Sequence, residues 1–462
     1  MNKKLNLLDS IMLIMGSMIG SGIFIVSAGM LTEIGTPTML ILAWVVTAIL
    51  TIFAALSYGE LAALMPKAGG QYVYLKEAYS PLFGFLYGWT LFTIIQTGTI
   101  AAVAVGFAKF TGVIFPVFSE KNILFSWIIT NSYTLNISAA QLLGIVLITL
   151  LTIFNFGKVK HAALLQNVFT IAKIASLLFI IFAGLYFILT NNQVLAPVQN
   201  LSTTLTLSTP LTFNIGIFAA ALVGSIFSAD AWNNITFTAG EIENPKRNLP
   251  LSLLIGTGSV LFLYVLINFI YINALSISEI QHAEQSRVGT LLLQKVFGDN
   301  GAIIMAVLIM VSTFGCVNGI ILSGSRVYKV MADEGMFFKQ ASELNKHQSP
   351  QKSLIYQGIW ASILVISGSY GDLLDYVVFA VLIFYILTVG AVFVLRKKLP
   401  NAERPYRVIA YPILPAAYII MAIIICVSLL IFKTAFAFSG LCLVLLGVPV
   451  YYILKRKNGQ NN

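Results

Sequence analysis

Apolar residues in this chain fall in long runs, separated by short polar connections, instead of alternating or following an amphipathic stripe. A bilayer core takes about 20 apolar residues per helix, and twelve runs of roughly that length can be marked. They are 10–32, 39–65, 82–111, 138–156, 163–189, 211–240, 250–273, 300–331, 354–369, 373–395, 409–432 and 435–454. The pattern predicts an all-α integral membrane protein with twelve transmembrane helices embedded in the lipid bilayer. No stretch is left for a large soluble domain.

Two runs carry a polar or glycine-rich interruption, where unsatisfied backbone groups at membrane depth cost several kcal/mol unless something satisfies them. The first is Gly16-Ser17-Met18-Ile19-Gly20-Ser21-Gly22 in run 1, and the second is Ser228-Ala229-Asp230-Ala231-Trp232-Asn233-Asn234 in run 6. They occupy the same place in two successive sets of five helices. Because five is odd, the second set enters from the opposite side, so the halves form an inverted repeat. The expected division is 1–190 for the first repeat (helices 1–5), 211–396 for the second (helices 6–10), and 409–462 for helices 11 and 12 with a cytoplasmic tail. Helices 1 and 6 are expected to unwind at mid-membrane, the best sequence pointer to a transport site.

A helix that restarts after Gly22 directs backbone N–H groups and a positive dipole end into the break, which suits a carboxylate. Ser21, Gly22 and Ile23 would supply these donors, and Gly20 and Gly22, lacking Cβ, allow close approach. Half-helices ending near Met18 and Phe227 present carbonyls and a negative dipole end, which suit an ammonium. An α-amino acid zwitterion carries that charge pair on adjacent atoms. The plainer alternative for run 1 is GxxxG-type helix packing, which the matched break in run 6 disfavours.

Lys173 and Asp230 are read as the only clearly central ionisable residues, with Glu60 and Lys109 nearer helix ends. Lys173 would place an ammonium where a coupling cation would otherwise bridge runs 1 and 8, acting either as a fixed structural cation or as a proton carrier; the plain alternative is snorkelling. Asp230 either caps a half-helix or meets a substrate cation. Phe227 either gates the site or packs, while Trp232 and Asn233 line the cavity or hold the unwound segment. Gln96, Ser312 and Thr313 are lesser polar candidates, because hydroxyls in membrane helices often bond their own backbone.

Composition narrows the class further. Of 462 residues 58% are hydrophobic and only 10% charged, with a mean hydropathy of +0.90, against about 25% charge in soluble chains, which excludes a water-soluble enzyme. The net charge of +10 would suggest nucleic acid elsewhere, but here the cations orient helices. With the N-terminus cytoplasmic, 21 of the 27 Lys and Arg residues fall on the inside, Lys3, Lys4 and Arg326 among them, and both termini are placed in the cytoplasm. The N-terminus lacks a small-residue cleavage site and is read as a retained first helix. Cys316, Cys426 and Cys442 lie in apolar runs without CxxC spacing, so neither a disulfide framework nor a metal site is expected. No nucleophile motif is seen, and a membrane sensor or integral-membrane enzyme is a remote alternative.

Four blocks carry a resemblance: GSMIGSGIF (16–24), SYGELAALMPKAGGQYVYLKEAYSPLFGFLYGW (57–89), FSADAWNNITFTAGEIENPKRNLP (227–250) and SGSRVYKVMADEG (323–335). Together they resemble the amino acid–polyamine–organocation transporters. FTIAKIASL (169–177), Phe at 227 and the WNN that follows the break resemble the L-type amino acid transporter branch and its bacterial serine/threonine and alanine/serine/cysteine exchangers.

The resemblance implies a LeuT-type fold of five plus five inverted helices with two further helices, alternating access, and sodium-independent exchange of neutral amino acids at the plasma membrane, without a cofactor. It places carboxylate contacts on Ser21 and Gly22 with Ile23 adjacent, and amino-group carbonyls on Met18, Phe227 and Asp230. It makes Phe227 the gate, Asn233 the unwound-segment asparagine, and Lys173 the lysine that replaces a second sodium site, with Ser312 its partner. Asp230 stands where animal members have glycine. The cysteine that tethers animal members to a single-span glycoprotein is absent near run 3, so no disulfide-linked partner is expected. A proton-coupled or cation-selective permease of the same fold is the alternative.

Overall fold

A computed structural model describes residues 5–130, 133–191, 214–367 and 370–459. Lys3, Lys4 and the start of run 6 at 211 lie outside the described residues. The first run resolves into two helices, α1 (Leu7–Met18) and α2 (Val26–Ile34). Asn6 caps α1 and exchanges hydrogen bonds with Asp9 as a capping box, which satisfies two backbone donors at the helix start. Next come α3 (Pro37–Leu64), the short α4 (Gln71–Ala78), α5 (Pro81–Thr90) and α6 (Gln96–Ile114). Helices α5 and α6 are joined by a π-helical stretch, Leu91–Ile95.

A hairpin of β1 (Ile123–Thr130) and β2 (Tyr133–Ser138) follows, antiparallel with Ser126 opposite Asn136. Apart from this hairpin, the regular elements among the described residues are helical, as the sequence predicts. The connection after run 3 closes its backbone hydrogen bonds across two strands, and its exposed Phe125 and Trp127 account for apolar residues in what had been read as a polar connection. The chain continues through α7 (Ala139–Phe154) and α8 (Val159–Thr190), then α9 (Ile215–Ser228). A ten-residue 3₁₀ segment spans Trp232–Glu241. Beyond it lie α10 (Pro245–Ala274), α11 (Ile277–Gln281), α12 (Val288–Phe297), α13 (Asn300–Asp333), α14 (Gln351–Ser367), α15 (Tyr370–Lys398), α16 (Ile413–Phe432) and α17 (Thr434–Gly459).

Among the described residues nine helical stretches are long and apolar enough to cross a membrane. The chain is therefore a multi-pass membrane protein. Many outward residues of these helices are apolar, as Phe262 and Ile420 are, which suits a hydrocarbon surround. The interior holds polar groups that tie helices together. Ser27 donates to Asn268 Oδ1 at 2.6 Å, linking α2 to α10, and the hydroxyls of Thr47 and Ser225 lie 2.7 Å apart, linking α3 to α9. Trp44 meets Tyr264 edge to face at 5.7 Å.

Candidate functional site

The two interrupted helices meet. Helix α1 ends at Met18, Ile19 turns extended with ψ 94, and the chain re-enters through one 3₁₀ turn at Gly22–Phe24 before α2. Helix α9 ends at Ser228, and Ala231 adopts a left-handed φ of 68 before the 3₁₀ segment begins. A Cβ on Gly22 would stand 3.2 Å from the Ser228 Cα and collide with its hydroxyl. Only glycine allows the backbone of the first break to lie so close to the end of α9.

The N–H groups of Gly22 and Ile23 open a helical turn, where no intrahelical acceptor is available. The carbonyls at the end of α1 are taken up by side chains from three helices. Lys173, fully buried on α8, donates to Gly16 O at 2.5 Å and Ile19 O at 2.9 Å. Ser312 on α13 donates to Ile19 O at 3.1 Å and Gly20 O at 3.3 Å. Tyr264 on α10 donates to Met18 O at 3.0 Å, and the Cys316 thiol to Ser17 O at 2.9 Å. Met18 O, expected to await an ammonium, thus already accepts one hydrogen bond and keeps one lone pair. Phe227 is buried, and its carbonyl accepts from Ala229 and Asp230 N–H groups within the break.

Asp230 turns away from the first break. Its Oδ1 accepts from the Tyr385 hydroxyl of α15 at 2.5 Å. Trp232 is packed in an aromatic group, with Tyr58 at 4.8 Å and Tyr385 at 5.3 Å. Asn233 donates to Gln71 Oε1 at 3.0 Å. Asp230, Asn233, Gln96, Tyr87 and Tyr385 line one cavity of ≈ 10 Å³, room for about one water. Ser21, Gly22, Ile23 and Phe227 are not in its lining. Gln96 Nε2 donates to Ile320 O at 2.7 Å. Thr313 bonds its own helix at Ile309 O.

Three features escaped the sequence reading. Arg326 and Glu241, 2% and 4% exposed at their side chains, form a buried ion pair at 3.2 Å. Arg326 is buried where α13 meets the end of the 3₁₀ segment. Glu60, 2% exposed at its side chain, is held by Arg396 at 2.9 and 2.7 Å and by the Val408 N–H at 2.7 Å. Finally, the Gly-Gly pair of the second sequence block, with φ of 99 and 45, packs against the 3₁₀ segment, where Gly69 N–H donates to Phe237 O at 3.1 Å. The sequence marked these glycines only as part of a block; the left-handed backbone explains them.

Residues 5–448 match the family model described as amino acid permease. The serine/threonine exchanger SteT of Bacillus subtilis (strain 168) is 29% identical over 463 residues, covering 100% of this chain and 98% of that protein. The mouse b(0,+)-type amino acid transporter 1 is 27% identical, covering 98% of this chain and 88% of its own length. The human large neutral amino acids transporter small subunit 2 is 29% identical, covering 98% and 80%. Family and relatives alike are named for transport and not for covalent chemistry.

Proposed function

The chain belongs to the amino acid permease family, and we propose that it is a sodium-independent exchanger of neutral L-amino acids that works by alternating access. The observation that carries this reading is the meeting of the two breaks at Gly22 and Ser228, with donors on one side and carbonyls on the other. Ser21, Gly22 and Ile23 take the substrate carboxylate, and the carbonyls of Met18, Phe227 and Asp230 take its ammonium. Phe227 closes over the substrate as the gate, while Gly20, Trp232 and Asn233 support the unwound segments.

Lys173 and Ser312 hold the end of α1 from α8 and α13, where a coupling cation would otherwise bridge the broken helix and α13. A fixed ammonium there makes sodium unnecessary, because its charge and donors already satisfy the carbonyls a sodium ion would ligate. The wider proposal is a twelve-helix plasma-membrane protein with cytoplasmic termini. It divides into repeats at 1–190 and 211–396, with helices 1 and 6 unwound at mid-membrane, and works without a disulfide-linked partner.

Purified protein in proteoliposomes tests the reading. Uptake of labelled serine, alanine or leucine is expected to rise several-fold when unlabelled amino acid is loaded inside, and to be the same in sodium or choline buffer. Uptake indifferent to internal substrate would remove exchange. Asp230, a carboxylate lining the cavity, favours a second reading, in which the substrate is cationic or the transport proton-coupled. Arginine and lysine as competitors, and an inward proton gradient without internal substrate, separate these from neutral exchange.

A further inference from the structure

Away from the breaks, α7 and α14 leave an apolar groove between them of ≈ 420 Å³, lined by Ile145, Thr152, Phe156, Ile355, Ile359 and Ile366 among others. The helices are antiparallel, so Phe156 and Ile355 stand at one end of the groove and Ile145 and Ile366 at the other. The lining spans 145–156 on one side and 355–366 on the other. At about 1.5 Å per residue this is roughly 16 Å, about half of a hydrocarbon core roughly 30 Å thick. The groove is one leaflet deep. It is also short for a transmembrane helix, which needs about 20 residues and is about 10 Å across.

One end of the groove is basic. Asn345 donates to Phe156 O and Ser349 to Asn155 O, each at 2.8 Å, which fastens the loop before α14 onto the end of α7. That contact gathers the exposed Lys158, Lys160, Lys346 and Lys352 around the same end. Lys352 lies three residues before Ile355, and 352, 355, 359, 362 and 366 follow one another along a single helical face. The cation therefore heads the very stripe that lines the groove. Just inside this end, the buried Thr152 hydroxyl has no hydrogen-bond partner among the described residues, and lies at the depth where the ester carbonyls of a glycerolipid would sit.

We propose that this groove binds an anionic phospholipid, one acyl chain lying between α7 and α14 and the phosphate headgroup among Lys158, Lys346 and Lys352. Apolar lining, one-leaflet depth and a basic mouth together match that ligand, since lysines near the membrane surface attract anionic headgroups.

Native mass spectrometry of the full chain, delipidated in detergent and titrated with dioleoylphosphatidylglycerol or dioleoylphosphatidylcholine, tests this. The unaltered protein is expected to retain phosphatidylglycerol at least five-fold better than phosphatidylcholine. Lys158→Ala/Lys352→Ala is expected to abolish that preference, and Ile359→Trp, which fills the groove from its exposed side, to reduce retention of the anionic lipid at least three-fold. Lys397→Ala/Lys398→Ala removes as much charge from another loop and is expected to change nothing. Equal retention of the two lipids, an unchanged preference in the Lys158/Lys352 variant, or an equal loss in the control variant would overturn the proposal. So would a second copy or a single-span protein occupying the groove and excluding lipid.

Discussion

Lys173 places one ammonium against two carbonyls of the end of α1, fully buried. Its removal strands Gly16 O and leaves Ile19 O to Ser312 alone, and a buried group left unsatisfied costs about 1–3 kcal/mol. In a molecule of this size that loss need not unfold the chain, but it frees the broken helix to settle elsewhere. Lys173→Ala is expected to slow exchange at least ten-fold while yield and monodispersity by fluorescence-detected size exclusion stay unchanged; exchange at the unaltered rate would sink the fixed-cation role. The lysine was legible because a charge in the middle of an apolar run is expensive. Tyr264 and Tyr385 were not. A tyrosine has a hydrophobic body, so nothing in an apolar run distinguishes one that packs from one whose hydroxyl reaches Met18 O or Asp230.

At the scale of elements, both breaks were readable from glycine and polar residues inside apolar runs, and the structure interrupts the helices within a few residues of those positions. The hairpin was missed although ILFSWIIT alternates in part at period two, the strand signal, because the stretch between runs 3 and 4 was read as a polar connection. Arg326 was not recognised as half of a buried pair for a related reason. It stands at the end of a run and is followed by several loop lysines, and only the packing of the 3₁₀ segment brings Glu241 to it. That pair fixes α13 to the second half of the broken helix. Removing one member leaves the other charge buried, at about 3–5 kcal/mol, whereas replacing both with apolar residues of similar volume is often close to neutral. Arg326→Met is expected to lower the melting temperature by several degrees, and Arg326→Met/Glu241→Met to recover most of it. A double variant as unstable as the single one would show that the pair is not what matters there.

For the whole molecule, a cavity of ≈ 10 Å³ is far below the roughly 300 Å³ at which small-molecule pockets begin. An amino acid fits this cavity only when helices move apart. Cys316 offers a natural probe of that motion: it is buried, free, and 3.3 Å from where a Cβ on Gly20 would be. In a Cys426→Ser/Cys442→Ser background, maleimide labelling of Cys316 in membranes is expected to be slow and to slow further, at least two-fold, when substrate holds the breaks together. Labelling that ignores substrate would separate this thiol from the moving region. Helix order and the polar breaks could be read from one-dimensional patterning, while the size of the cavity depends on the rotation and tilt of helices, which hydropathy leaves open.

The ten-residue 3₁₀ segment Trp232–Glu241 is also longer than the same residues would be as an α-helix. A 3₁₀ helix rises about 2.0 Å per residue and an α-helix about 1.5 Å, so ten residues span about 20 Å in the first form and about 15 Å in the second. Rewinding would draw Glu241, and Arg326 with it, about 5 Å toward the first break, without unfolding anything. Spin labels at 228 and 243 would read such a piston directly, as a second, shorter distance that grows in population with substrate; a single unchanged distance would make the segment a rigid strut.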